Sequence, residues 1–130
     1  MKKEQPYRKF IDKIDVSDWE IETDNGFKPI KNIGLTIPYN IVSVKTESGK
    51  CLKCADTHIL FDTEYDEIFA KDLNLGTRPD YIQTIDGPEL VVSVTQTTDE
   101  ENMYDIEVDD DNHRYYTNGI LSHNSIFLCN

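Results

Sequence analysis

Three histidines carry most of the chemistry this sequence offers. His58 stands in Cys-Ala-Asp-Thr-His-Ile-Leu-Phe, His113 in Asp-Asp-Asp-Asn-His-Arg-Tyr-Tyr, and His123 directly precedes Asn124 and Ser125. With an ordinary pKa of about 6.5, imidazole is the natural proton carrier at neutral pH, although a lone histidine in a small domain is more often a satisfied structural residue. Three of them in such contexts tilt the balance toward catalysis. Asp105 reads equally well as a reactive carboxylate or as a strand-end acid satisfied by backbone amides. Asn124 and Ser125, taken alone, read as an unstructured tail. Of the three cysteines, Cys51 and Cys54 form a CxxC, but no second CxxC or HxxxH pair supplies the remaining ligands of a tetrahedral zinc site. On a strand, positions three apart face opposite sides, so the two sulfurs diverge and read as structural residues. No metal and no cofactor is expected.

The elements that must position these side chains follow from periodicity. Tyr7, Phe10, Ile11 and Ile14 fall at i, i+3, i+4 and i+7 behind Pro6, which predicts one short N-terminal amphipathic helix. Beyond it the period shortens toward two, and turn sequences recur at Asp24-Asn25-Gly26, Glu47-Ser48-Gly49-Lys50, Asp86-Gly87-Pro88 and Asn118-Gly119. Strand-like runs over 19–23, 39–45, 51–54, 81–85, 90–95, 103–108 and 114–117 predict an all-β sandwich or barrel-like fold. Residues 70–76 read as a brief helical or extended link closed by Gly76.

Composition narrows the function classes. A chain of 130 residues and 15.0 kDa holds one small domain. No apolar run approaches the roughly 18 residues needed to cross a bilayer, and no signal-peptide pattern follows Met1, so a cytoplasmic protein is expected, in keeping with an odd cysteine count. A formal charge of −12 disfavours nucleic acid and anionic membranes and favours a basic partner. Asp109, Asp110 and Asp111 read as a solvated turn.

The end of the chain adds a sharper signal. Tyr104-Asp105-Ile106-Glu107-Val108, followed by His113-Arg114-Tyr115-Tyr116-Thr117-Asn118-Gly119-Ile120-Leu121-Ser122-His123-Asn124-Ser125, resembles the C-terminal splicing blocks of inteins, which conclude in His-Asn before Ser, Thr or Cys. Upstream, Ser48 to His58 is similar to the intein block that supplies a catalytic histidine near the upstream splice junction. Trp19 to Thr23 with Asn25 to Ile30 resembles the early β-hairpin of that family, and Ala70-Lys71-Asp72-Leu73 the link after the histidine block. The resemblance covers residues 17–125; residues 1–16 have no specific match.

What the resemblance implies is the all-β, horseshoe-like intein fold and a reaction in four steps. A thiol or hydroxyl at the first intein residue attacks the preceding carbonyl to form an ester, while His58 orients that amide and protonates the leaving nitrogen. Ser125 attacks the ester and takes over the upstream protein, Asp105 coupling this step to the first. Asn124 then closes on its own backbone carbonyl as a succinimide and cuts the chain before Ser125. His113 activates the side-chain nitrogen and His123 stabilises the tetrahedral oxygen or the departing amine. Finally the ester on Ser125 rearranges to an amide.

Two departures from the family pattern set further expectations. The family places Thr three residues before the catalytic histidine, where this chain has Ala55. Nothing near Met1 matches the opening block with its Cys or Ser nucleophile, which leaves two explanations: a trimmed piece of a contiguous intein or, the favoured one, the C-terminal fragment of a split intein that splices in trans with a separate, short and basic N-terminal fragment. The expected layout is a helical lead over 1–16, a splicing domain over 17–124, and the start of the downstream protein over 125–130. Ser125-Ile126-Phe127-Leu128 fits the active site of a family-B DNA polymerase as host. Residues 59–102 leave too little chain for a homing endonuclease. The rival readings are a self-cleaving Hedgehog-like or bacterial intein-like domain that does not ligate, and a non-catalytic β binding module.

Overall fold

The computed structural model describes residues 10–14, 18–36, 39–73, 80–101, 104–110 and 112–123. Twelve strands are present among them: β1 (Phe10–Ile14), β2 (Glu20–Thr23), β3 (Gly26–Thr36), β4 (Tyr39–Thr46), β5 (Cys51–Ala55), β6 (Ile59–Phe61), β7 (Glu67–Phe69), β8 (Tyr81–Thr84), β9 (Gly87–Glu101), β10 (Tyr104–Val108), β11 (Arg114–Thr117) and β12 (Ile120–His123). The one helical element described is a 3-10 turn, Ala70–Asp72. No described helix is long and apolar enough to cross a membrane.

The strands form two sheets. In the smaller, β3 pairs with β1, β2 and β10; in the larger the order is β5-β4-β9-β8-β12-β6-β7, with β11 also paired to β12. Every named pairing is antiparallel. Alternation along β4 and β5 builds the core: Val42, Val44, Leu52 and Cys54 point inward and meet Leu60, Ala70, Leu73, Ile82, Val91 and Ile120. The same alternation separates the two cysteines as expected, Cys51 exposed and Cys54 buried with its thiol 3.7 Å from the Val42 carbonyl. Among the described residues no group of three or more His, Cys, Asp and Glu is placed to hold a metal ion.

The expected N-terminal helix is corrected. Its described part is strand β1, bonded to β3 from Ile14↔Ile33 to Phe10↔Thr36; residues 1–9 lie outside the described residues. An isolated helix under about 12 residues is marginal in water, whereas the open edge of an 11-residue strand supplies backbone partners directly. The expected strands are present, but β6, β7 and β12 carry no alternating signature. All three residues of β6 are buried, so it reads as a plain apolar run. The 70–76 link is met by the 3-10 turn over its first residues.

The β11–β12 turn shows why Asn118-Gly119 is there. Both central residues have positive φ, 49° and 80°, as a two-residue hairpin turn of the twist-compatible type requires. A Cβ on Gly119 would also lie 2.9 Å from the Lys50 side chain, so a larger residue there would have to displace it.

Candidate active site

Strand β12 is the hub of the histidines. It pairs with β11 along its length, with β8 at Ile120↔Thr84 and with β6 at Ser122↔Leu60. Ile120, Leu121 and Ser122 are fully buried, and His123 at the end is half-buried. Successive strand residues face opposite sides, so Ser122 and His123 present two different environments one residue apart.

On the Ser122 side lies His58. It leaves β5 through a tight turn in which its N–H donates to the Ala55 carbonyl at 3.0 Å, while its own carbonyl accepts from Ala70 N–H at 2.8 Å. Asp56 is pinned as well, its N–H donating to Asn40 and its carbonyl accepting from Lys71. The backbone is thus held on both sides of a ring that is only 6% exposed, and Nε2 lies 2.9 Å from Ser122 Oγ. Ala55, where the family pattern has Thr, is buried at 5% exposure with its carbonyl serving the His58 turn.

On the other side His123 lies between Phe61, with ring centroids 6.3 Å apart, and His113, also at 6.3 Å. Its Nε2 is 3.8 Å from Glu67 Oε2, within ion-pair reach once the ring is protonated. His113 enters with φ of 56°, and its N–H donates to the Asp110 carbonyl at 3.1 Å. The acidic run is therefore more than a solvated turn: Asp109 is exposed, but Asp110 is half-buried and shapes the bend that delivers His113, while Asp111 lies outside the described residues.

Arg114 braces this end. It faces His123 across the β11–β12 ladder, its Nη2 pairs with Asp24 Oδ2 at 2.8 Å, and its guanidinium lies 5.5 Å from the Phe61 ring and 5.2 Å from the Tyr65 ring. Burial, and then the negative charge of Asp24, push the Tyr116 phenol above its ordinary pKa. At the far end of the hairpin, Lys50 Nζ donates to Glu89 Oε2 and Asp86 Oδ2, each at 2.7 Å, while Glu89 Oε1 accepts from Thr46 at 2.7 Å and Ser48 at 2.6 Å. The Lys50 ammonium, then the Ser48 hydroxyl, hold the Glu89 carboxyl down at about 2.

The structure thus gathers His58, His113 and His123 around β12. Asp105 lies on β10 in the smaller sheet, its backbone opposite Gly34. Asn124 and Ser125 lie outside the described residues, directly following His123 in sequence. Sequence reasoning did not single out Ser122, Glu67 or the Arg114–Asp24 pair. A serine inside the apolar run Ile120-Leu121 was the available signal, since a buried hydroxyl implies a partner. Glu67 and Asp24 carry no motif.

No family model and no curated protein matches the sequence. Solved structures do match, and those that share this fold are protein-splicing domains. The VidaL intein is 33% identical, with a TM-score of 0.74 over 82% of this chain and 70% of that one. A consensus engineered intein with an atypical split site is 24% identical, TM-score 0.65, over 91% of this chain and 88% of that one. A DnaB intein from Synechocystis sp. is 21% identical, TM-score 0.68, over 83% and 77%. The second and third speak to the fold alone; with the VidaL match, the chain belongs to the inteins.

Proposed function

We propose that the chain is the C-terminal part of a split intein that splices in trans with a short, basic N-terminal fragment. The observation that carries the reaction chemistry is the convergence of His58, His113 and His123 on β12, the strand whose sequence runs directly into Asn124 and Ser125. A formal net charge of −12 favours a basic partner fragment.

In this reading the first nucleophile, on the partner fragment, attacks the upstream carbonyl; its proton passes to His58 and on to the leaving amide nitrogen as the ester forms. The Ser125 hydroxyl attacks that ester and releases the first nucleophile, with Asp105 coupling the two steps. Asn124 Nδ2 attacks its own backbone carbonyl, the bond to Ser125 breaks, and a succinimide and a free Ser125 amine result. His113 takes the proton from the attacking nitrogen and His123 supplies one to the departing amine, Glu67 holding the His123 imidazolium. The amine of Ser125 captures its own ester to complete the amide. A family-B DNA polymerase host rests on Ser125 to Leu128.

The test mixes the chain with a peptide carrying the opening segment of the VidaL intein fused to a reporter, followed by intact-mass spectrometry. Splicing transfers the reporter onto Ser125-Ile126-Phe127-Leu128-Cys129-Asn130. Asn124→Ala is expected to abolish release of that segment while the branched ester still accumulates. Normal splicing by Asn124→Ala would overturn the assignment, and cleavage without transfer would favour the non-ligating reading.

A further inference from the structure

We propose that Ser122 is the positioning residue of His58. Its hydroxyl accepts from Nε2–H and so sets the orientation of the ring that passes the upstream proton. The inference rests on the upstream role given to His58 above.

Ser122 has no solvent exposure and His58 only 6%, and the two meet at 2.9 Å through Nε2. Neither partner is easily displaced. Ser122 is bridged to Leu60 on one side and Tyr115 on the other, so its backbone cannot slide without breaking sheet pairing. His58 is held by hydrogen bonds at its own N–H and carbonyl. Two rigid anchors therefore define the ring's orientation, as a site that must repeat one geometry requires.

The choice of a hydroxyl has a chemical consequence. The upstream step needs an imidazole that takes a proton from the nucleophile and hands it to the leaving nitrogen. A carboxylate on Nε2 would favour the charged imidazolium and resist the second transfer. A hydroxyl is neutral, so it accepts from Nε2–H in either state of the ring without the strong bias toward imidazolium that a carboxylate imposes. The proton taken from the nucleophile is the one handed to the leaving nitrogen, so the ring ends in the protonation state in which it began.

Position 122 also ties two ends of the reaction together, being one residue before His123 and two before Asn124 in the sequence. The strand that leads to the downstream junction is the strand that orients the upstream histidine.

The experiment compares Ser122→Thr with Ser122→Val, near-isosteres on a strand that differ in the hydroxyl. The first readout is the ¹⁵N spectrum of the His58 ring in the whole chain, with His58→Ala for assignment. Wild type and Ser122→Thr are expected to show the Nε2–H tautomer with that proton protected from exchange. Ser122→Val is expected to lose the protection at an unchanged melting temperature relative to Ser122→Thr. The second readout, with the VidaL peptide, is ester formation relative to downstream cleavage, expected to fall about a hundredfold in Ser122→Val and to recover in Ser122→Thr, the size general-acid catalysis supplies. An Nδ1–H tautomer in the wild type, or equal ring spectra in Thr and Val variants, overturns the proposal. A wild-type chain that forms no ester sinks the function assigned to His58, while the ring spectra still decide what Ser122 does.

Discussion

The two ends of the β11–β12 hairpin are held by different forces. At the turn, Gly119 accepts from Ile85 N–H at 2.8 Å, Asn118 Nδ2 donates to the Cys51 carbonyl at 3.0 Å, and the Lys50–Glu89 cluster lies directly beneath. At the histidine end, the contacts are ring to ring at 6.3 Å and a 3.8 Å approach to Glu67, braced by Arg114. Short, saturated hydrogen bonds fix the base. Longer ring and charge contacts face His123, while on the opposite face of the same strand His58 keeps a 2.9 Å bond to the neutral Ser122 hydroxyl.

If that division holds, damage at the turn should cost stability and damage at the tip should cost reaction rate. The largest loss of stability is expected from Glu89→Ala, which strips the acceptor from the fully buried Thr46 hydroxyl and from Lys50, at about 2–3 kcal/mol in chemical denaturation. The same carboxyl gives the contrast a pH signature. Its folded pKa of about 2 lies below the ordinary 4.5, so the stability it contributes is complete above 4.5 and drains away as pH falls toward 2. In Glu89→Gln, acid titration of the melting temperature should lose that component; an unchanged acid limb would show the cluster to be inert.

Gly119→Ala comes next, at about 1–2 kcal/mol, from a side chain forced to positive φ with its Cβ against Lys50. The smallest stability effect is expected from Arg114→Met, about 1 kcal/mol or less for a partly exposed ion pair and two ring contacts. Yet downstream cleavage should slow in this variant more than in Gly119→Ala once both are compared at equal folded fraction. The reverse ranking would erase the distinction between base and tip.

Parts of this architecture were legible beforehand for identifiable reasons. The turns at Asn25-Gly26, Ser48-Gly49, Asp86-Gly87 and Asn118-Gly119 announce themselves because positive φ demands glycine or asparagine. Strands β4 and β5 were readable because one face is wet and the other dry. Strand β6, buried throughout, hides that alternation, and β1 mimicked a helix because five residues sample too little of either period. His58, His113 and His123 stood out by motif, whereas Glu67 and Asp24 acquire meaning only from what they touch.

The sequence by itself determined the β class, the turn positions, the divergence of Cys51 from Cys54, and the family likeness that its terminal block carries, all properties of residue type and local spacing. Tertiary structure decided that His58 meets Ser122, that Arg114 reaches Asp24, and that β12 presents its two faces to different histidines. The first two contacts join residues about 60 to 90 positions apart in the chain: the pairing of β12 with β6 brings Ser122 to His58, and the approach of β11 to β2 brings Arg114 to Asp24.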